Sequence, residues 1–340
     1  MNKPHVIIIA EAGVNHNGDI GLAKRLIDVA ADAGADIVKF QTFKADRISA
    51  GHAPKAEYQE RATGTGESQL DMLRRLELTA GHHDELIAHC LARGIAFLST
   101  PFDHESIGLL RSKGMTIGKV PSGEVTNKPY LQAMARTFPQ LIVSTGMCTL
   151  EEVAAAVDVL VLAGARPSSI TLLHCNTEYP TPMHDVHLRA MGTLAKTFGT
   201  SVGYSDHTTG IEVPIAAVAL GATVIEKHIT LDRSLPGPDH NASLEPHELS
   251  AMVRAIRNIE EALGSGAKAP SPSERKNITI ARKSIHLSRT VETGSTLKEE
   301  DLIMLRPGTG ISPMRIDEVL GKRVLRELRA GSMLTAEDLA

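Results

Sequence analysis

The chain has 340 residues with a net charge of −4, which fits one large α/β barrel with an appendix or two to three ordinary domains. Its 42 % apolar and 22 % charged residues exclude wholesale disorder. The near-neutral charge and the absence of Trp disfavour a nucleic-acid surface, so no nucleic acid or acidic membrane is expected as a partner. The amino-terminal apolar run VIIIA is too short for a signal-peptide core. The run 213–225 contains Pro214 and Gly221 and is too short to span a bilayer. Cys90, Cys148 and Cys175 lie far apart with no metal-like pairing, and they read as reduced, buried packing residues of a cytoplasmic protein.

Short β-branched runs alternate with amphipathic, helix-length stretches. Eight strands are predicted, at 6–12, 36–42, 96–102, 115–122, 141–146, 170–176, 201–207 and 223–230. Between the first two, Ile20, Ala23, Ile27 and Ala30 form one helical stripe that Gly34 ends. Continuous apolar strand cores imply a parallel sheet covered on its outer face. Eight such units are expected to close a (β/α)8 TIM barrel. A doubly wound sheet is the rival, weakened because no Gly-x-Gly-x-x-Gly follows a strand. The segment HAPKAEYQERATGTGESQL, with Gly64-Thr65-Gly66, reads as a long loop: a solvated excursion or a cover over the barrel mouth. The barrel is placed at 1–264 and a Gly/Ser/Pro-rich linker at 265–280, followed by a small β-rich domain at 281–340. The last 60 residues hold 10 Lys+Arg and 9 Asp+Glu, net +1, which leaves −5 on the rest.

Barrel chemistry sits at the carboxyl ends of strands, and these ends are polar throughout. They carry Glu11, Lys39, Gln41, Ser99, Thr100, Lys119, Ser122, Glu124, Ser144, Thr145, Asn176, Thr177, Tyr179, Ser205, His207, Glu226 and His228, with Asp239 shortly after. Lys39 and Lys119 suit a phosphate or carboxylate, with the hydroxyls as further donors. The alternatives are ion pairing with Glu11 or Glu124, or a Schiff-base lysine. His207 and His228 end successive strands, where two imidazoles can meet one divalent metal. Asp239 and Glu11 are candidate oxygen ligands.

The stretches IAEAGVNHNG (9–18), VKFQTFKAD (38–46), LSTPFD (98–103), KVPSGE (119–124), LHCNTEYPTP (173–182), GYSDH (203–207), IEKHITLD (225–232), PGPDHNAS (236–243) and RPGTGISP (306–313) resemble the N-acetylneuraminate (sialic acid) synthase family, including its legionaminate synthases. The resemblance runs in order along nearly the whole chain. It implies a (β/α)8 barrel, an antifreeze-like (SAF) carboxyl-terminal domain and a domain-swapped homodimer. It also implies a divalent metal, most often Mn2+ with Mg2+ or Co2+ as alternatives, and condensation of phosphoenolpyruvate with an N-acylated amino sugar. It makes His207 and His228 the metal ligands, and Lys39, Thr100, Lys119, Ser122, Thr177 and Ser205 phosphoenolpyruvate contacts, with Asn176 able to replace Thr177. It makes Glu11 the carboxylate at the reacting carbons, and Gln41, Tyr179 and Asp239 sugar contacts. Arg306 becomes the arginine reaching the other subunit's acyl-sugar site, and Glu124 belongs to the substrate-binding set. N-acetylmannosamine is the leading sugar, giving N-acetylneuraminate. A 2,4-diacetamido-trideoxy-mannose, giving N,N'-diacetyllegionaminate, is the alternative. A Schiff-base aldolase or a non-enzymatic carbohydrate-binding protein ranks below both.

Overall fold

The computed structural model describes residues 5–50, 53–64 and 66–340. The chain divides into two compact units, Met1–Gly264 and Ser265–Ala340. In the first, the apolar runs become eight strands: β1 (Ile7–Gly13), β2 (Ile37–Thr42), β3 (Ala96–Pro101), β4 (Ile117–Val120), β5 (Gln140–Ser144), β6 (Ile170–Cys175), β7 (Ser201–Asp206) and β8 (Val224–His228). All ladders are parallel, in the order β3-β2-β1-β8-β7-β6-β5-β4, and β3 and β4 come together without a ladder, so the barrel is nearly closed. Both faces of the strands are buried, which is why they read as unbroken apolar sequence.

Helix α1 (Ile20–Asp32) begins where Asp19 accepts from the amides of Gly21 and Leu22. It buries Ala23, Leu26, Ile27 and Ala30 against the sheet. Gly34, at φ +80°, turns the chain back into β2.

The β2–β3 connection departs from the expected loop. It forms α2 (Ala45–Ile48), α3 (Glu57–Thr63) and α4 (Gln69–Leu76) before α5 (Ala80–Arg93). Gly64 and Gly66 lie between α3 and α4, and Thr65 of the expected Gly64-Thr65-Gly66 loop lies outside the described residues. Three short helices hold because Ser68 caps α4 and Met72 and Leu76 bury with Val14 and Phe43 in a second apolar cluster. The Lys55 ammonium, almost wholly covered, binds Thr63 Oγ1 at 2.9 Å and the Gly64 carbonyl at 3.0 Å.

Register aligns the chemistry. Glu11 stands opposite Lys39 on one side and His228 on the other, Gln41 opposite Thr100, and Ser205 opposite Glu226. At Gly13 the β1–β2 register shifts and φ is +53°. A Cβ there would stand 3.3 Å from Glu11 Oε1 and 3.4 Å from His228 Cε1, so a side chain would press on both site residues at a φ that favours glycine.

Side chains alternate across β7 and β8, so Asp206 and Lys227 face away from the barrel interior. They form a fully buried pair at 2.5 Å, with the lysine also donating to the Thr208 carbonyl. Lys227→Met leaves Asp206 buried without a counter-charge and is expected to cost about 3–5 kcal/mol. Urea unfolding checks this, and the Asp206→Leu/Lys227→Met double variant should recover much of the loss.

In the second unit the Pro/Ser segment also departs from expectation. Pro272–Ala281 is helical, with the Ser271 amide accepted by Glu274 and Pro272 at the first helical position. Beyond it, β9 (Ser284–Leu287) and β10 (Leu302–Leu305) pair antiparallel over a core of eight buried apolar residues. Two segments, 289–302 and 326–339, repeat one pattern at a spacing of 37 residues. In each, an arginine binds an aspartate twelve residues on, Arg289–Asp301 at 2.6 Å and Arg326–Asp338 at 2.9 Å. Each aspartate also accepts the amide three residues before it, from Lys298 and Thr335. Val291 and Leu328 exchange backbone hydrogen bonds at the centre of this pseudo-symmetric pair.

Candidate active site

A cavity of about 620 Å3 opens at the carboxyl ends of the strands. It brings together Glu11, Lys39, Gln41, Thr100, Lys119, Ser122, Glu124, Thr177, Tyr179, Ser205, His207, His228 and Asp239. Asn176 is not in the lining: its amide oxygen accepts from the Glu178 amide at 2.8 Å and holds the turn after β6. Arg306 belongs to the second unit, where its Nε donates to the Ala281 carbonyl and the side chain is exposed. Ser99 and Thr145 are also outside the lining. Ser99 bonds Thr42, and Thr145 donates to the Leu173 carbonyl, because strand alternation turns them away while Thr100 and Ser144 face in.

The floor is a buried charge network. Lys39 Nζ lies 2.7 Å from Glu11 Oε2 and 3.6 Å from Glu226 Oε2, and donates to Thr100 Oγ1 at 2.9 Å. Lys119 donates to Ser144 Oγ at 2.6 Å and stands 3.6 Å from Glu226, so its carboxylate partner is Glu226 rather than Glu124. Glu226 also accepts from Ser205 at 3.0 Å. Glu226 is the residue that the assignment of roles passed over. Its signal was available, since it lies two residues before His228 and shares its inward face.

Burial opposes ionisation of Glu226, but Lys119 and Lys39 outweigh it and hold the carboxyl well below its usual range. Glu11 goes the other way: burial and then repulsion from Glu226 push it up against the pull of Lys39. Burial lowers Lys119 despite Glu226, whereas for Lys39 the attraction of Glu11 and Glu226 overcomes burial. One carboxylate thus stays ionised between two ammonium groups, and a second sits near the point of accepting a proton.

Beside this floor, Tyr179 stacks on His207 with ring centroids 4.1 Å apart, and the His207 and His228 rings are 5.4 Å apart. His207 Nδ1 hydrogen-bonds the Asn176 carbonyl, which fixes the proton there and leaves Nε2 with its lone pair. Burial lowers His207 to about 4 and takes His228 well below its usual value, so both rings are neutral. Burial also raises Asp239 to about 6, and because the His228 ring is neutral its 3.9 Å approach to His228 Nδ1 is not an ion pair. His228 Nδ1 is buried with no hydrogen-bond partner. Two neutral imidazoles, one with an orphaned ring nitrogen, and two nearby carboxyls are a donor set that fits a divalent metal. Among the described residues, the one three-residue His/acid group within metal-ligand reach of itself is Glu245, His247 and Glu248, at the start of the helix Pro246–Ala262. It is outside the cavity lining, and Arg233 already engages Glu248.

Burial keeps the thiols protonated at neutral pH. Burial pushes Cys148 up to about 11 and raises Cys175, which lines the cavity 3.3 Å from Ser122 Oγ. Cys148 itself is only half-buried. At Gly146 a Cβ would lie 2.7 Å from Thr177 and 2.9 Å from Ser122 Oγ, so glycine lets these strand ends converge.

Two buried ammonium groups that their carboxylates do not fully occupy can hold a small dianion, and two neutral rings beside them leave lone pairs for a metal or a polarised carbonyl. With every such group delivered by a strand end, the protein is a (β/α)8-barrel enzyme. Residues 26–268 match the NeuB family and residues 282–340 the SAF domain. The chain is 52 % identical to an N,N'-diacetyllegionaminic acid synthase of Campylobacter jejuni over 96 % of this chain and 98 % of that one. It is 49 % identical to a protein of the same name from Legionella pneumophila, over 98 % and 94 %. A solved N-acetylneuraminic acid synthetase of Leptospira borgpetersenii, in complex with citrate, superposes with a TM-score of 0.71 at 36 % identity, covering 81 % of this chain and 90 % of that one. The chain belongs to the NeuB family of sialic and related nonulosonic acid synthases, phosphoenolpyruvate-dependent enzymes that form a carbon–carbon bond. No helix among the described residues is long and apolar enough to cross a membrane.

Proposed function

We propose that the protein condenses phosphoenolpyruvate with a 2,4-diacetamido-trideoxy-mannose and water, giving N,N'-diacetyllegionaminate and phosphate. The observation that carries this choice of sugar is the near end-to-end identity of about half to two synthases of that name. N-acetylmannosamine, giving N-acetylneuraminate, is the second reading, favoured by the 36 % identical synthetase of known structure.

In this reading Lys39 and Lys119 hold the phosphate and carboxylate of phosphoenolpyruvate, and Thr100, Ser122, Ser144 and Ser205 add hydroxyl donors. Binding exchanges part of the Glu226 contact for substrate oxygens, so the lysines are preorganised at little cost in order. The sugar aldehyde meets Glu11, His207, His228 and Asp239. His207 and His228 would hold the metal, which supplies Lewis-acid polarisation of the aldehyde oxygen. The enol carbon bonds to the aldehyde carbon, and C2 becomes cationic. Glu11 stands beside this centre with its proton affinity raised, suited to stabilise it and to take the proton of the trapping water. Loss of phosphate then breaks the C2–O bond. Phosphoenolpyruvate carrying 18O at the bridging position should deliver the label to phosphate, and label kept in the sugar acid would contradict this route.

Incubating the protein and Mn2+ with phosphoenolpyruvate and either sugar, with product masses read out, tests the choice. The diacetamido sugar is expected to give the higher kcat/KM, and a higher value for N-acetylmannosamine reverses the assignment. A reduced, cytoplasmic enzyme agrees with three free cysteines and a glycolytic co-substrate.

A further inference from the structure

The β2–β3 connection lines the cavity with two kinds of group. Gln69 shares one face of α4 with Met72, Leu73 and Leu76, and Ile48 packs beside them. Glu57 and Gln59 come from α3. That helix is tied at both ends, since Lys55 just before it binds Thr63 and Gly64 at its close. It is also tied across the mouth, where Arg61 pairs with Glu178 in the turn after β6. One backbone amide then fixes the direction of two carboxamides. The Ala56 N–H can only donate, so the Gln59 atom that it meets at 3.0 Å is the oxygen, Oε1. Gln69 approaches the same oxygen at 3.5 Å and must present Nε2. The Gln69 Oε1 in turn accepts from Ser49 Oγ at 2.8 Å. Gln69 is thus spent on protein partners, and the exposed Glu57 stands 4.0 Å from Arg61. Gln59 has its oxygen filled twice and its Nε2 without a partner among the described residues. The wall therefore offers the cavity one oriented donor, Gln59 Nε2, beside apolar side chains.

We infer that Gln59 is a specificity-determining residue, donating through Nε2 to the carbonyl of the acylamino group at C4 of the sugar. The inference rests on the reading that the cavity takes an open-chain acylamino sugar. An aldehyde carbon held beside Glu11, His207 and His228 puts the C2 substituent level with the strand ends. The C4 substituent stands two carbons nearer the mouth, where α3 supplies the lining. A side chain that only donates matches a group that only accepts, and an amide carbonyl is such a group. A hydroxyl at C4 brings a proton that itself needs an acceptor, and its oxygen stops two bonds short of where a carbonyl reaches. The acyl methyl lies against the half-buried Ile48 and Leu73, where both surfaces lose water. Because the Ala56 amide and Gln69 already hold the Gln59 carboxamide, little rotamer freedom is lost when the donor engages.

The test compares the 2,4-diacetamido-trideoxy sugar with 6-deoxy-N-acetylmannosamine, which differs from it only in carrying a hydroxyl at C4. The readout is the ratio of the two kcat/KM values, in which any change in phosphoenolpyruvate binding cancels. The wild type should favour the diacetamido sugar by about tenfold or more, the scale of one hydrogen bond and one methyl contact. Gln59→Ala should bring the ratio within about threefold, by raising the KM for the diacetamido sugar. Gln59→Glu is the decisive variant. A carboxylate there still accepts from the Ala56 amide and from Gln69, so α3 keeps its cap, but the atom turned to the cavity becomes an acceptor. It should lose the preference at least as fully as Gln59→Ala, with circular dichroism and melting temperature at their wild-type values. If Gln59 only capped α3, Gln59→Ala would weaken both sugars alike and Gln59→Glu would restore both, which overturns the inference. A wild type without a C4 preference, or either folded variant with the wild-type ratio, also overturns it while the proposed reaction stands. If neither sugar yields a nonulosonic acid, the proposed reaction falls and the inference with it.

Discussion

His207→Ala and His228→Ala should each reduce turnover by at least about 100-fold, because losing a metal-bound imidazole exceeds the roughly 10- to 100-fold cost of losing a hydrogen bond behind one. The two rings come from the ends of neighbouring strands, and the His207 tautomer is set by the Asn176 carbonyl. Burial keeps both neutral, so their lone pairs are open at neutral pH without a deprotonation step. Calorimetric titration with Mn2+ should show one tight site per wild-type chain and a loss of affinity in either variant. Thermal unfolding without added metal should change little, since removing a neutral ring leaves no buried charge behind. Unchanged Mn2+ affinity in both variants would sink the assignment. The parallel variant Glu226→Gln separates the two halves of the floor: it removes the carboxylate shared by Lys39 and Lys119 and is expected to change the KM for phosphoenolpyruvate more than the metal affinity.

The barrel was legible in the sequence because each strand is buried on both faces and reads as an unbroken apolar run ending in polar residues. The same rule did not say which polar residue faces inward. Glu226 and Lys227 are neighbours, yet one joins the cavity and the other is walled off with Asp206. Only the alternation along β8, anchored on His228, separates them. Helices α2 to α4 were hidden for a different reason. Runs of four to eight residues carry barely one or two turns of periodicity, and tertiary contacts through Met72 and Leu76 hold them, not propensity. The helix Pro272–Ala281 was concealed by its own start signal, since Ser-Pro-Ser-Glu reads as a breaker until the capping role of Ser271 and Glu274 is recognised. Asn176 and Ser99 were plausible rim donors by position, but each spends its polar atoms within the protein.

Arg306→Ala should raise the KM for the sugar by about 10- to 100-fold with little effect on that for phosphoenolpyruvate, the range lost with a hydrogen bond from a charged donor. The second unit has only eight buried apolar residues in its core, so a docking surface would add stability that it lacks alone. Arg306 commits one of its five N–H donors to the Ala281 carbonyl, which fixes the stem and leaves the outer nitrogens of an exposed guanidinium for an acyl carbonyl. An arginine with no role beyond surface solvation would be worth less than about 1 kcal/mol, and its removal would leave both KM values alone. In the domain-swapped dimer that the family resemblance implies, the sugar site would combine the barrel of one protomer with Arg306 of its partner. Arg306→Ala and His207→Ala chains are each defective alone. After subunit exchange, a mixed dimer contains one site with both lesions and one with neither. A 1:1 mixture at statistical exchange should therefore restore about one quarter of the wild-type sites. Exchange confirmed by native mass spectrometry without any return of activity would mean that Arg306 serves the barrel of its own chain or has no part in the site.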